Sequence, residues 1–139
     1  TSGTAGNDIV VTATEHQYWA FKSSGGWIAN GTAATGTFNA SKNVNTYTFA
    51  AQALGSSHSL QAIFVYGWEL VVSGTLATDG TDQIPDGEAS QTHTYSHAPI
   101  FPEVFNGWFL DGVFKSNATT YSAPAQTAGT SHTLTTSYT

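Results

Sequence analysis

Apolar residues alternate with Thr, Ser, Asn and Gln along most of this chain, and no segment holds a helical period for three turns. "NTYTFAA" (Asn45 to Ala51) sets Tyr47, Phe49 and Ala51 against polar neighbours, as a half-buried strand does. "SHSLQAIFVYGWELVVSGT" has a continuous apolar centre, Ala62 to Tyr66 and Leu70 to Val72, which predicts a strand buried on both faces. "SQTHTYSH" and "SHTLTTSYT" carry single aromatics or Leu among polar residues and read as exposed strands. Turn signals separate these runs at Gly25-Gly26, Asn30-Gly31, Gly55, Asp79-Gly80, Asp86-Gly87, Asn106-Gly107 and Asp111-Gly112. The stretch from Ala77 to Ser90 reads as an acidic, irregular loop. The pattern predicts an all-β chain folded as a single antiparallel β-sandwich, Ig-like or pilin-like.

The segment from Asp8 to Phe21 is extended throughout: β-branched Ile9, Val10, Val11, Thr12 and Thr14, then Tyr18, Trp19 and Phe21, with no Gly or Pro. An ordinary strand has about five or six residues. This stretch is therefore one very long edge, or two strands with different partners.

Composition narrows the function. Only 9% of residues are charged, against about 25% in ordinary domains, and the net charge is -6. Nucleic acid and anionic membrane surfaces both need clustered Lys and Arg, and the cations here are Lys22, Lys42 and Lys115. No run of about eighteen apolar residues is present, so no membrane span is expected. Cys and Met are absent, which excludes disulfides, thiolate metal sites and a Cys nucleophile. A surface of Thr, Ser, Asn and Gln titrates little and predicts a stability that varies weakly with pH. The start on Thr-Ser-Gly, without an initiator Met or a signal peptide, predicts a processed form of an extracellular protein.

Catalytic motifs are missing: no G-x-S-x-G, H-E-x-x-H, P-loop or G-x-G-x-x-G occurs. Glu15, Glu69 and Glu103 are separated acids that pair only if the fold brings them together, as glycosidase carboxylates must be. No enzyme is expected. His93 and His97 share a strand face and, with His16, His58 or His132, make an imidazole set, but no carboxylate or Cys completes it, so neither metal nor other cofactor is expected. The sequons at Asn30, Asn39 and Asn117 predict N-linked glycans. Lys22 and Lys115 follow aromatic stretches and are candidates for isopeptide crosslinks. The aromatics predict a packed core, although "FNGWF" (Phe105 to Phe109) is dense enough to be a contact patch.

An exposed apolar edge strand invites aggregation, and soluble monomers blunt it with charge, Pro or a bulge. Only Asp8 guards Ile9, Val10 and Val11, so the segment suits a strand meant to enter a neighbouring subunit. The expected donor residues are Asp8, Ile9, Val10, Val11, Thr12 and Ala13, with Ile9, Val11 and Ala13 as the buried face. This divides the chain into a donor tail, residues 1–14, and a sandwich domain, residues 15–139. The expected acceptor groove includes Leu60–Val65 or Leu70–Val72.

The Thr-Ser-Gly start, the "GNDIVVTAT" strand, the Cys-free Thr-rich β-domain and the three sequons resemble the subunits of archaeal thread filaments of Sulfolobus-type cells. That resemblance implies donor-strand complementation, identical subunits as partners, glycosylation, and a role in cell-surface adhesion or biofilm structure. Neighbouring filaments or cell-surface glycans would be further partners. The alternative expectation is a secreted carbohydrate-binding sandwich using Trp27, Trp108 or the Ala77–Ser90 loop.

Overall fold

β-Branched and aromatic side chains fit a pleated, half-buried surface, and they set where this chain extends. The computed structural model describes residues 6–22, 24–39, 44–75, 78–95, 100 and 102–139. These residues form β1 (Ile9–Thr14), β2 (Trp19–Phe21), β3 (Trp27–Ala29), β4 (Thr32–Ala34), β5 (Thr37–Asn39), β6 (Val44–Phe49) and β7 (Leu60–Ala62). Then follow β8 (Phe64–Ser73), β9 (Gly80–Pro85), β10 (His93–Thr94), β11 (Phe105–Leu110), β12 (Val113–Ser116), β13 (Thr120–Tyr121) and β14 (Ser131–Tyr138). The chain is all-β, and among the described residues no helix is long and apolar enough to cross a membrane.

Several sheets are present. One has the order β1-β6-β5 and another β4-β3-β7. The largest runs β12-β11-β14-β8-β2, with β9 also on β8, and β10 pairs with β13 in a short ribbon. The long opening stretch is two strands with different partners: β1 ladders with β6, and β2 with Phe64–Tyr66 of β8. The chain turns between them at Tyr18, which holds a positive φ of 65°.

Four sequence expectations change. The apolar run after Ser57 is broken at Ile63, whose N–H donates to Gly26 O (2.8 Å) and whose carbonyl accepts from Lys22 N (3.1 Å). β14 is a central strand, antiparallel to β11 and parallel to β8, with Leu134 fully buried. The sheet is thus not purely antiparallel. The acidic stretch contains β9, and Asp82, Gln83 and Ile84 are all buried. Asn106-Gly107 is a register shift inside β11, where a Cβ on Gly107 would come within 2.5 Å of Ser116 O.

Two turn readings hold. Asn30-Gly31 closes the β3–β4 hairpin and Asp111-Gly112 the β11–β12 hairpin, all four residues at positive φ. That geometry matches the right-handed twist of the flanking strands and is tolerated best by Asn, Asp and Gly.

Apolar burial occurs in two places. Trp68, Leu70 and Val72 of β8, Ile84, Trp108, Leu110, Ala123 and Leu134 form the main core, with Tyr95, Phe105 and Tyr121 packed on it. A separate aromatic relay runs Phe64–Phe21–Trp27–Tyr47–Phe49, with successive ring centroids 5.1–5.9 Å apart. Each buried indole N–H has an acceptor: Trp27 on Asn45 Oδ1 (2.6 Å), Trp68 on Glu88 O (3.0 Å) and Trp108 on Ala118 O (2.9 Å).

A Cβ at Gly67 would lie 1.9 Å from Ile84 O, a backbone atom of the adjacent strand. Gly67→Ala is expected to destabilise by about 1–3 kcal/mol or more through forced strand separation. Gly112→Ala meets nothing within 4 Å and is expected to cost only about 1–2 kcal/mol for its left-handed φ. Urea unfolding of both variants checks the ranking, and equal losses would contradict the β8–β9 register.

Candidate functional site

β1 is exposed on alternate residues: Ile9, Val11 and Ala13 are half-buried, while Val10, Thr12 and Thr14 face solvent. The inward row borders a cleft of about 750 Å³. Trp27, Leu60 and Ala62 from the β4-β3-β7 sheet form another wall, with Phe49 of β6 and the 52–58 loop along the rim. Six register pairs, Ile9↔Phe49 to Thr14↔Val44, join β1 to β6, and Asp8 Oδ1 accepts from Ala51 N (2.9 Å). The other edge of β1 has no strand partner among the described residues. Asp8 to Ala13 therefore lie together on one ladder within this chain. Of the two expected groove segments, Leu60–Val65 contributes Leu60 and Ala62 to the cleft. Leu70 and Val72 belong to the main core instead.

The rim is held by the first sequon. Asn30 Oδ1 accepts from Ser59 N (2.9 Å), and Asn30 Nδ2 meets His58 Nδ1 (2.9 Å). An amide nitrogen only donates, so His58 Nδ1 is the acceptor and its Nε2–H faces Ser56 Oγ (3.1 Å). A glycan on Nδ2 replaces one of two hydrogens and leaves the other for His58. Asn117 is exposed just after β12, and Asn39 ends β5 with the rest of its sequon outside the described residues. Lys22 and Lys115 are both exposed. His97, Lys42 and the Thr-Ser-Gly start lie outside the described residues.

The acids do not converge. Glu69 accepts from Gln83 Nε2 (2.8 Å), Ser131 Oγ (2.8 Å) and Gln17 Nε2 (3.3 Å). Glu103 accepts from Ile100 N (3.2 Å) at another corner. Glu15 is buried where β1 ends; Oε1 accepts from Phe21 N (2.6 Å), and Oε2 has no partner. Burial pushes its pKa up to about 7, opposed by the Phe21 N–H and reinforced by the negative charge of Asp82.

His93, expected on an exposed strand, is fully buried. Asp79 accepts from the Thr75 hydroxyl (2.6 Å), and that hydroxyl in turn meets Thr78 Oγ1 (2.9 Å). Thr78 therefore donates to Thr75 and accepts from His93 Nδ1 (2.9 Å). His93 Nε2 then faces Asp82 Oδ2 at 3.3 Å without hydrogen-bond alignment. No group of three or more His, Cys, Asp or Glu suited to a metal occurs among the described residues. Trp27 and Trp108 are buried and offer no ring face to a sugar. "FNGWF" is divided between the core and the surface rather than forming one patch: Trp108 is buried, Phe105 stacks on Tyr95 (4.1 Å), and Phe109 meets Phe114.

Glu15 alters the expected weak pH dependence. Its folded pKa lies above the 4.5 of an exposed carboxyl, so its protonated form is favoured by folding. The contribution is complete below pH 4.5 and is lost as pH rises through about 7, amounting to about 3 kcal/mol. Glu15→Gln is expected to flatten the stability curve between pH 4.5 and 7.5 in urea titrations; an unchanged slope would assign the dependence elsewhere. Asp111 acts oppositely at lower pH: the hydrogen bond from His132 (2.6 Å) holds its pKa below 3.8, so its small contribution disappears in acid.

Comparison of the chain with models of protein families, with characterised proteins and with solved structures found no match.

Proposed function

We propose that this chain is a structural subunit of a glycosylated extracellular filament, polymerising head to tail by donor-strand complementation and serving cell-surface adhesion or biofilm structure. The observation that carries the reading is the position of β1: among the described residues it is the first strand and ladders with β6 alone, its apolar face over a cleft. The sequence resemblance to archaeal thread subunits points the same way. In the filament, β1 of one subunit pairs with β6 of the next, and the remaining chain is a single sandwich lacking its own first strand.

Exchange of this kind replaces the same six register pairs and the same half-buried Ile9, Val11 and Ala13 by copies from a neighbour. Little enthalpy separates the closed and exchanged forms, so concentration and strain in the Glu15–Tyr18 connection decide between them. A contact made by different surfaces on each partner propagates into an open fibre when the rotation between copies does not close into a ring. Val11→Asp charges the half-buried face opposite Tyr47 and is expected to prevent assembly, but it also loosens the closed monomer.

A cleaner test uses the absence of cysteine. Val10 and Thr48 are paired and both exposed, at a Cα separation of about 4.5–5.5 Å that a disulfide spans. Oxidised filaments of a Val10→Cys, Thr48→Cys variant are expected to run as a ladder of covalent multimers on non-reducing gels. Internally linked monomers alone, or no filaments by electron microscopy, would reject strand exchange.

A further inference from the structure

Three of the four tryptophans are buried, but Trp19 is 48% exposed. It stands on β2 opposite Tyr66 of β8, itself 47% exposed, with ring centroids 5.4 Å apart at 53°. Exposed aromatics add little to folding, yet the structure beneath this pair is elaborate. Tyr18, just before Trp19, holds a left-handed φ that a bulky residue adopts only under constraint. Its N–H donates to Gln83 Oε1 (2.7 Å), and its carbonyl accepts from Gly67 N (2.8 Å). Gln83 is fixed by donating to the buried carboxylate of Glu69 (2.8 Å), which Ser131 also holds. On the other side, Tyr66 crosses Gly129, where a Cβ would come within 2.2 Å of the Tyr66 hydroxyl. A strained turn and a buried acid both oppose folding, and here both serve to fix two solvent-facing rings.

We propose that Trp19 and Tyr66 form a stacking platform for the pyranose rings of a neutral saccharide. The polarised C–H face of a pyranose packs against the negative face of an aromatic ring. Two rings inclined to each other offer surfaces to successive sugar units. Exposed Asp86 follows β9 beside Tyr66, its N–H bonding the Tyr66 carbonyl (3.1 Å). A nucleic acid would also stack, but it needs a basic groove, and this chain has net charge -6. The sugar comes either from N-linked glycans of another copy or from an external polysaccharide. Trp19 lies outside β1, so this proposal and strand exchange stand or fall separately.

The test uses unglycosylated protein, whose exposed indole among the four is Trp19. Acrylamide quenching is followed during titration with mannohexaose, cellohexaose, chitohexaose and the glycans released from the native protein. At least one is expected to shield Trp19 saturably. Trp19→Ala is expected to weaken that binding at least about tenfold, a loss near 1.4 kcal/mol, with calorimetry as the readout for this variant. Trp19→Phe keeps part of the affinity, and neither change should move the urea midpoint appreciably. Saturation by released glycans alone identifies the chain's own sugars as ligand; saturation by a commercial hexasaccharide identifies an external one. If no saccharide protects Trp19, or Trp19→Ala binds as tightly as the parent, the platform is refuted; a purely apolar contact between copies would give the first of these results.

Discussion

β8 must satisfy hydrogen bonds along both edges while burying residues on both faces, and the other strands arrange themselves around that requirement. β14 and β9 pair with its later residues and β2 with its start. On the core face, Trp68, Leu70 and Val72 are at most 2% exposed; on the opposite face, Glu69 is buried by its hydrogen-bond donors. With no disulfide to close the chain, this strand does by pairing what a covalent staple does in many secreted domains.

The two three-stranded sheets, β1-β6-β5 and β4-β3-β7, make a second, looser unit. Its aromatic relay meets β8 at Phe64, and its cleft stays open between β1 and the sheet bearing Trp27. Burial is thus uneven: dense around Trp68 and Trp108, and incomplete where β1 sits. β1 combines incomplete burial with an edge that has no strand partner among the described residues, a combination suited to exchange between copies. Several buried polar residues lie near the passage from one unit to the other. The turn from β1 to β2 is held by three of them separately, Glu15 through Phe21 N, Gln83 through Tyr18 N and Glu69 through Gln17, which fixes the path of the chain.

The sequence made some features plain. Asn30-Gly31 and Asp111-Gly112 are legible because few residue pairs accept two positive φ angles, and the inward row of β1 shows in strict alternation. β9 was hidden because two of its three buried residues are Asp82 and Gln83, polar residues buried by partners on other segments, Gln91 and Glu69. β14 looked exposed because Leu134 is its sole large aliphatic, while its Thr residues pass unnoticed in a central position. Nothing local tells Trp19 from Trp27, Trp68 and Trp108. Which indole reaches solvent is settled by cross-strand register, a property of distant segments. The cleft was unreadable for the same reason, since it joins residues from several strands and a loop.

The parallel pairing of β14 with β8 sets the timing of folding. Ser131 aligns with Glu69, sixty-two positions earlier, and β14 also separates β8 from β11. Contacts this remote must pay loop-closure entropy before they stabilise anything, so the large sheet forms late and slowly. The β3–β4 hairpin and its neighbours need no such wait. The principal sheet cannot close until β14 has been synthesised, so any chain ending before Ser131 leaves β8 and β11 without the strand that lies between them.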